Sequence, residues 1–357
     1  MNRETLLRIL ERARWAPSGD NTQPWRFEIT APDTVIVHGH DTRDHVLYDF
    51  DGYPSHIAHG ALLETMRISA SDFGLAATWT VESDAEARNP CYKVIFSKQP
   101  VVLPDPLSPF IEHRVVQRRP MHAIPLAEEQ RTALVASVGE AYSLNFFSDL
   151  GVRWRVAKLL WSNAQIRLTC REAYAVHREI IEWGARYSDT KVPEQAVGVD
   201  PITARLMRWV MQSWSRVDFF NRFLLGTYLP RIELDLLPAL LCSSHVLISP
   251  RSPPVCLQDR LELGRTVQRF WLTATQLDLQ LQPQMTPVIF RWYVQSNRAF
   301  SSQADQFARA RQLAQDFERL VGCTGEAPFG FFCRIGFAKR PSSRSTRMAL
   351  PRLYLGK

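Results

Sequence analysis

Between Arg14 and Ile29 the sequence reads RWAPSGDNTQPWRFEI, a stretch whose residue types can lie close against a flat ligand. Pro17 disfavours helix at Ala16 and removes a donor, so the preceding helix stops there. Ser18 and Gly19 present little bulk, and Asn21 and Gln23 can pin a turn from within. An ordinary helix-to-strand turn closed by a core tryptophan, Trp25, has the same composition. A second set of candidates is cationic. From Arg334 to Lys357 the chain carries Arg334, Lys339, Arg340, Arg344, Arg347, Arg352 and Lys357 with no acid, which accounts for the net charge of +7. Such a segment can bind an anionic small molecule, a nucleic acid or nothing, and the lack of interleaved base-stacking aromatics counts against nucleic acid. His38 and His40 share a strand face with His45 nearby, and His56 and His59 share a helix face. Such pairs are more often solvated than metal-bound, and the six cysteines, with no C-x-x-C pair, fit reduced thiols. No metal is expected.

These residues need elements to position them. Apolar periodicity and breakers predict helices over 3–15, 56–74, 127–140 and 257–278, and strands over 25–30, 34–38, 91–97, 142–148, 244–249 and 329–338. A long aromatic-rich helical region spans 151–238, and most of its tryptophans, Trp154, Trp161, Trp183, Trp209 and Trp214, are expected to be helix-packing core. Within it RYSDTKVPEQAVGVDPIT, from Arg186, lacks a clear period, and 188–202 reads as a lid. Four prolines, Pro100, Pro104, Pro106 and Pro109, mark a stiff connector. No signal peptide or membrane span is evident, so a cytoplasmic protein without a membrane partner is expected. There is no G-x-G-x-x-G, Walker loop or G-x-S-x-G elbow.

The parts on either side of the connector resemble each other. With Gly60 laid on Gly264, Leu63 matches Val267, Met66 matches Phe270, Ile68 matches Leu272 and Ala70 matches Ala274. Each helix follows a β-type run (TVIVHG, HVLIS) and precedes another (YKVIFS, FFCRIGF). Two copies of one α+β unit fused through prolines would form a pseudo-dimer within one chain. The division is 1–99 for the first half, 100–110 for the linker and 111–357 for the second half with its helical insertion.

APSGDNTQPWRF resembles the nitroreductase-family pattern in which a helix ends at A/S-P-S, a short loop carries Asn and Q-P-W starts a strand. The duplicated layout is similar to single-chain members such as the mycobacterial dormancy-associated nitroreductase-like proteins, whose VLY run is echoed by Val46, Leu47 and Tyr48. The resemblance implies an α+β nitroreductase-like fold with FMN held between the halves. It assigns Pro17, Ser18, Gly19 and Asn21 to the flavin wall. In VVQRRPMHAIPL it places Arg118, Arg119 and His122 at the cation motif, with Pro120 where the family has serine and His122 where it has a fixed cation. Pro283, Gln284 and Met285 match the turn whose backbone N–H meets flavin N5, and in SSRSTRMALP Arg347, then Arg344, match the phosphate clamp.

The loop lies only in the first half and the phosphate-side elements only in the second, which assembles one complete site. The resemblance therefore implies an FMN-dependent oxidoreductase passing hydride from NAD(P)H or an organic donor to a small nitro, quinone or similarly conjugated substrate, with no side chain required as acid or base. A lid-covered flavin store and a flavin-free scaffold remain open readings. The expected assembly is a monomer or weak oligomer.

Overall fold

The computed structural model describes residues 2–83, 88–224, 226–323 and 325–355; Lys357 of the basic tail lies outside them. Helix α1 (Arg3–Ala13) starts where Asn2 accepts from the Thr5 N–H and buries Leu6, Ile9, Leu10 and Ala13, the 3.6-residue stripe of an amphipathic helix. Strands β1 (Trp25–Ala31) and β2 (Thr34–Gly39) form a hairpin. Helix α2 (Tyr53–Ser71) is buried on nearly every side, and β3 (Leu75–Ser83) and β4 (Cys91–Lys98) complete an antiparallel sheet of order β1-β2-β4-β3.

The second half runs α3 (Glu128–Val138), β5 (Tyr142–Phe147), then after the insertion β9 (Ser244–Pro250), α10 (Leu257–Gln276), β10 (Gln280–Pro283) and β11 (Phe331–Gly336). Its sheet, β5-β9-β11-β10, is antiparallel throughout. Both halves thus follow helix–strand–strand–helix–strand–strand, and both sheets join their strands in the same order. The second helices of the two halves cross at their glycines. A Cβ built on Gly60 would stand 2.0 Å from the Leu261 carbonyl oxygen, and one on Gly264 would stand 2.1 Å from that of Ile57. Only hydrogen at both positions allows so close a crossing. Glu64, fully buried there, is bound by Arg67, Arg265 and Arg269, and Gln268 donates to Thr65. The proline-rich connector lies across this crossing: Leu107 and Ile111 pack with Ile68 and Leu272, while Asp105 accepts from Arg67 and Arg269.

Between β5 and β9 the insertion holds α4 (Leu150–Thr169), α5 (Arg171–Ile180), β6 (Ile181–Glu182), β7 (Tyr187–Ser188), β8 (Val192–Pro193), α6 (Pro201–Val210), α7 (Trp214–Phe223), α8 (Tyr228–Arg231) and α9 (Leu237–Leu240). It is not a continuous helical region, because short strands interrupt it at 181–193. Its tryptophans are not core: none of Trp154, Trp161, Trp183, Trp209 and Trp214 is fully buried, and Trp154 and Trp209 are exposed. Between β10 and β11 lie α11 (Thr286–Gln295) and α12 (Ala304–Val321), neither of which the periodicity analysis found, and β3 was missed as well. The chain ends with β12 (Arg344–Ser345) and α13 (Leu350–Leu353); Leu350 and Leu353 enter the first half's core, and Tyr354 bridges to Phe27 of β1. The second half's tail therefore closes onto the first half's sheet.

Candidate functional site

The loop between α1 and β1 contains a 3-10 turn, Gly19–Asn21, and three non-glycine residues with left-handed backbone: Asp20 (φ 49°), Asn21 (φ 66°) and Gln23 (φ 48°). Each costs on the order of 1–3 kcal/mol and persists only where its surroundings over-determine it. Those surroundings are explicit. The Gln23 N–H donates to Ser18 Oγ (3.0 Å), and its amide donates to the carbonyls of Asn21 (3.0 Å) and Asp189 (2.7 Å) while accepting from the Met348 N–H (2.9 Å). Asn21 accepts from Arg347 Nη1 (2.8 Å) and donates toward the carbonyls of Ser188 and Lys191. The first half's loop is thus set by the insertion on one side and the C-terminal segment on the other.

Those two outer segments are zipped together. β7 pairs in parallel with β12, the Thr346 N–H donates to the Ser188 carbonyl (2.7 Å), and Ser345 Oγ donates to that of Lys191 (2.9 Å). Residues 187–191 therefore lie directly over the Ser18–Gln23 loop.

Beside the loop the structure gathers arginines. Arg347 donates to the carbonyls of Ala16 (3.0 Å) and Thr346 (2.7 Å) as well as to Asn21. Arg114 donates to the Trp15 carbonyl (2.8 Å) and lies over the Trp271 ring, and Arg344 lies over Trp15 and donates to the Glu112 carbonyl (2.9 Å). Among the described residues none of these three pairs with a carboxylate. Buried Nε groups of Arg114 and Arg344 have no hydrogen-bond partner among the described residues. Burial, then Arg344 and Arg14, pull Arg347 down to about 9; burial, then Arg347 and Arg344, hold Arg114 well below its ordinary range. Cations that depress one another this way present a site that an anion would relieve.

Arg118 donates to the Ala196 carbonyl (3.2 Å) and faces Asp20, without an ion pair within 4.0 Å among the described residues. Burial lowers Arg118 and raises Asp20, each partly offset by the other's charge. The backbone at Arg118 is held by the fully buried Arg334, whose Nη2 donates to the carbonyls of Gln117, Arg118 and Arg119 and whose Nε donates to Gln282 Oε1 (2.6 Å). Arg334 so links the cation segment to the end of β10, where Pro283, Gln284 and Met285 lead into α11. Pro283 has no N–H and that of Gln284 is spent on the Phe332 carbonyl (2.8 Å), which leaves Met285 as the backbone donor of this turn. Gln284 Oε1 also bonds His245 Nδ1 (2.8 Å).

Arg119 and His122 stand apart. Both are exposed, and His122 is tied in only by its backbone, which donates to the Phe337 carbonyl (2.7 Å). The first-half histidines have structural partners: His59 bonds Tyr92 and the Pro24 carbonyl, and His38 faces Glu28. Sequence reasoning gave Asp20 no role, took Arg334 only as one cation of a basic tail, and did not find a half-buried pair in which Tyr48 bonds His177 Nε2 (3.0 Å). Burial raises the Tyr48 phenol and, with Arg167, pushes His177 down to about 3.

Residues 1–47 match a model of the nitroreductase family. The matched stretch covers α1, the Ser18–Gln23 loop, β1 and β2, and so includes Pro17, Ser18, Gly19 and Asn21 but none of the second-half candidates. Three solved nitroreductase structures resemble the chain distantly. A nitroreductase-like family protein from Bacillus cereus shares 9% identity over 70% of this chain and 94% of that one, with a TM-score of 0.35. The FMN-dependent nitroreductase NfnB from Mycobacterium smegmatis, solved in complex with NADPH, shares 14% over 68% and 94%, with a TM-score of 0.38. A nitroreductase with bound FMN from Bacteroides fragilis shares 11% over 69% and 95%, with a TM-score of 0.32. No curated protein matches the chain.

Proposed function

We propose that the chain is an FMN-dependent oxidoreductase of nitroreductase type, built as an internal pseudo-dimer with one flavin site between its halves. The observation that carries the reading is the Ser18–Gln23 loop, held in left-handed conformation by the second half and flanked by arginines that pair with no carboxylate among the described residues. The shared topology supports duplication, as does the meeting of Gly60 with Gly264, the pair that the sequence alignment matches. Only one site follows, because the first half spans 14–24 between its opening helix and strand whereas the second spans 139–141, too short for an equivalent wall.

The residues present fit a flavin nucleotide. Arg347, with Nη2 unspent, and Arg118 offer charge-assisted donors to a phosphate. Ser18 and Gly19 form a low wall for a planar ring, and Met285 offers a backbone N–H from the facing turn. Bound FMN would supply hydride and electron transfer between NAD(P)H and a small conjugated acceptor. The chain's own part is to bind, orient and exclude water, and the segment 187–191 does the last of these by covering the loop.

That covering favours a second reading, a flavin store with little turnover. Quantifying flavin released by acid from purified protein tests the shared premise, with about one FMN per chain expected. Anaerobic mixing with NADPH then separates the readings: bleaching of the flavin band supports the enzyme, and an unchanged band supports the store. Protein that purifies and reconstitutes without flavin would overturn both.

A further inference from the structure

The insertion carries an apolar face that the flavin site does not use. On α6, Ile202, Leu206 and Trp209 share one side and are 78%, 44% and 47% exposed; on α7, Phe219 and Phe223 are 52% and 70% exposed. The rings of Trp209 and Phe220, 5.7 Å apart, join the two helices, and Phe219 packs on Phe223 at 5.2 Å. Leu224, Tyr228 and Leu229 extend the exposed apolar residues beyond α7. Single apolar residues on a surface need no explanation, but a run of this size marks a docking site.

The rim of the face is cationic. Arg205, Arg208 and Arg222 are exposed, and Arg216 lies 4.6 Å over the Trp209 ring. The only acid within either helix is Asp218, which Arg222 pairs at 2.9 Å. At the turn between the helices opens a groove of about 680 Å³ whose walls include Arg171, Arg178, Tyr174 and Trp214. Glu172 also reaches this groove, but Ser301 Oγ (2.8 Å) and the Ser302 N–H (2.9 Å) hold its carboxylate.

We propose that this face docks on the surface of an anionic lipid bilayer. Short amphipathic helices with aromatic and aliphatic side chains on one side and arginines at the edge seat their apolar side at the headgroup boundary, and the arginines draw anionic lipids. No helix among the described residues is long and apolar enough to cross a membrane, so the contact is with a surface. A second copy of the chain fits less well, because a two-fold contact would bring one cationic rim up to another. The absence of a membrane span in the sequence concealed this, since a monotopic contact needs none. α6 follows the segment covering the Ser18–Gln23 loop, so the docking face and that cover are continuous in the chain.

The test is co-sedimentation of the full chain with vesicles of equal parts phosphatidylcholine and phosphatidylglycerol, against vesicles of phosphatidylcholine alone. The anionic vesicles should carry the protein down and the neutral ones should not. Ile202→Ser with Phe223→Ser should reduce binding roughly tenfold or more, since exposed apolar area is what would enter the boundary. Arg205→Gln with Arg208→Gln should weaken binding and its salt dependence at unchanged Tm, which keeps the test decisive if the first pair misfolds. Failure to sediment with anionic vesicles, or binding indifferent to both pairs, would overturn the proposal. So would a dimer in lipid-free buffer that either pair dissociates without vesicle binding by the wild type, because the face would then be a self-association surface.

Discussion

Gly264→Ala should be among the most damaging single-atom additions this chain can receive. In the interior of a helix the change alone favours folding by about 0.8–1.0 kcal/mol, because alanine has less backbone entropy to lose. Here the new carbon would stand 2.1 Å from the Ile57 carbonyl oxygen, 2.8 Å from its carbon and 2.9 Å from Gly60 Cα. All three are backbone atoms of the opposing helix, so no rotamer change relieves them. Restoring ordinary contact needs α2 and α10 to part by more than 1 Å. Parting also stretches Gln268 from Thr65 and Arg265 and Arg269 from the buried Glu64. Overpacking alone costs about 1–3 kcal/mol, and strained buried ion pairs add to it, so we expect a net loss of roughly 3 kcal/mol. Differential scanning calorimetry reads this as a lowered Tm. Gly151→Ala is the control, because it lies in α4 with nothing within 4 Å and should be neutral or slightly stabilising. A Gly264→Ala protein as stable as wild type would refute the close crossing and, with it, the physical basis for a pseudo-dimer.

Glu64→Gln should cost about 1–3 kcal/mol, because charge-assisted bonds from Arg67, Arg265 and Arg269 are lost while Asp105 still pairs Arg67 and Arg269 and Glu262 still pairs Arg265. Burial opposes ionisation of Glu64, but Arg67, Arg265 and Arg269 hold its carboxyl below the usual range; its stabilisation is present above the unfolded value and lost as pH falls through the folded one, so the variant should be less acid-sensitive below about pH 4.3. Arg118→Ala and Arg347→Ala should each weaken FMN binding by about 1.5–3 kcal/mol, read by fluorescence titration at two salt concentrations; unchanged affinity in both would place the phosphate elsewhere. Gln23→Ala should free the 187–191 and 346–348 segments together, seen as faster proteolytic nicking in both, since one amide bonds Asp189 and Met348. His59 and His177 are pushed down to about 3 and His245 to about 4, chiefly by burial, while unfolded histidine titrates near 6.5. The unfolded chain therefore binds more protons in that window, and Tm should begin to fall between about pH 7 and pH 5, before the carboxylates titrate; a flat Tm across that range would show these rings to be solvated.

What the sequence made legible follows from local physics. Pro17 and Pro24 bracket a loop whatever the fold, and the β-type runs TVIVHG and HVLIS identified β2 and β9. Helix α11 escaped because Pro287 to Tyr293 are all buried, leaving no polar face to set a period. Helix α12 was legible and unread, with Gln306, Ala310, Leu313, Ala314 and Phe317 buried at helical spacing. The loop candidates Ser18 and Asn21 were found by residue type, but the left-handed backbone of Asp20, Asn21 and Gln23 was not, since it is imposed by partners more than 160 positions away in sequence. Arg334 looked like one cation of a basic tail; only the fold shows it inside β11, bonding three successive carbonyls at 117–119.

The two halves differ in complementary places. Where the first half joins its opening strands through a turn at 32–33, the second inserts 148–243; where the first carries the loop at 14–24, the second has 139–141. In a symmetric dimer of separate chains every such change would appear twice, and an insertion that covers one loop would cover both. A single chain is free of that constraint. The insertion closes over the single long loop, and the C-terminal segment, bonded to Ala16 and Asn21 through Arg347, fastens it from the other side. Cutting the chain within 100–110 should therefore leave the halves associated through the α2–α10 crossing and the tail on β1, and a flavin bound between them should remain. If the cleaved halves separate by size-exclusion chromatography while each stays folded, the crossing is too weak to hold the site, and the covalent connector rather than the packed interface positions the loop.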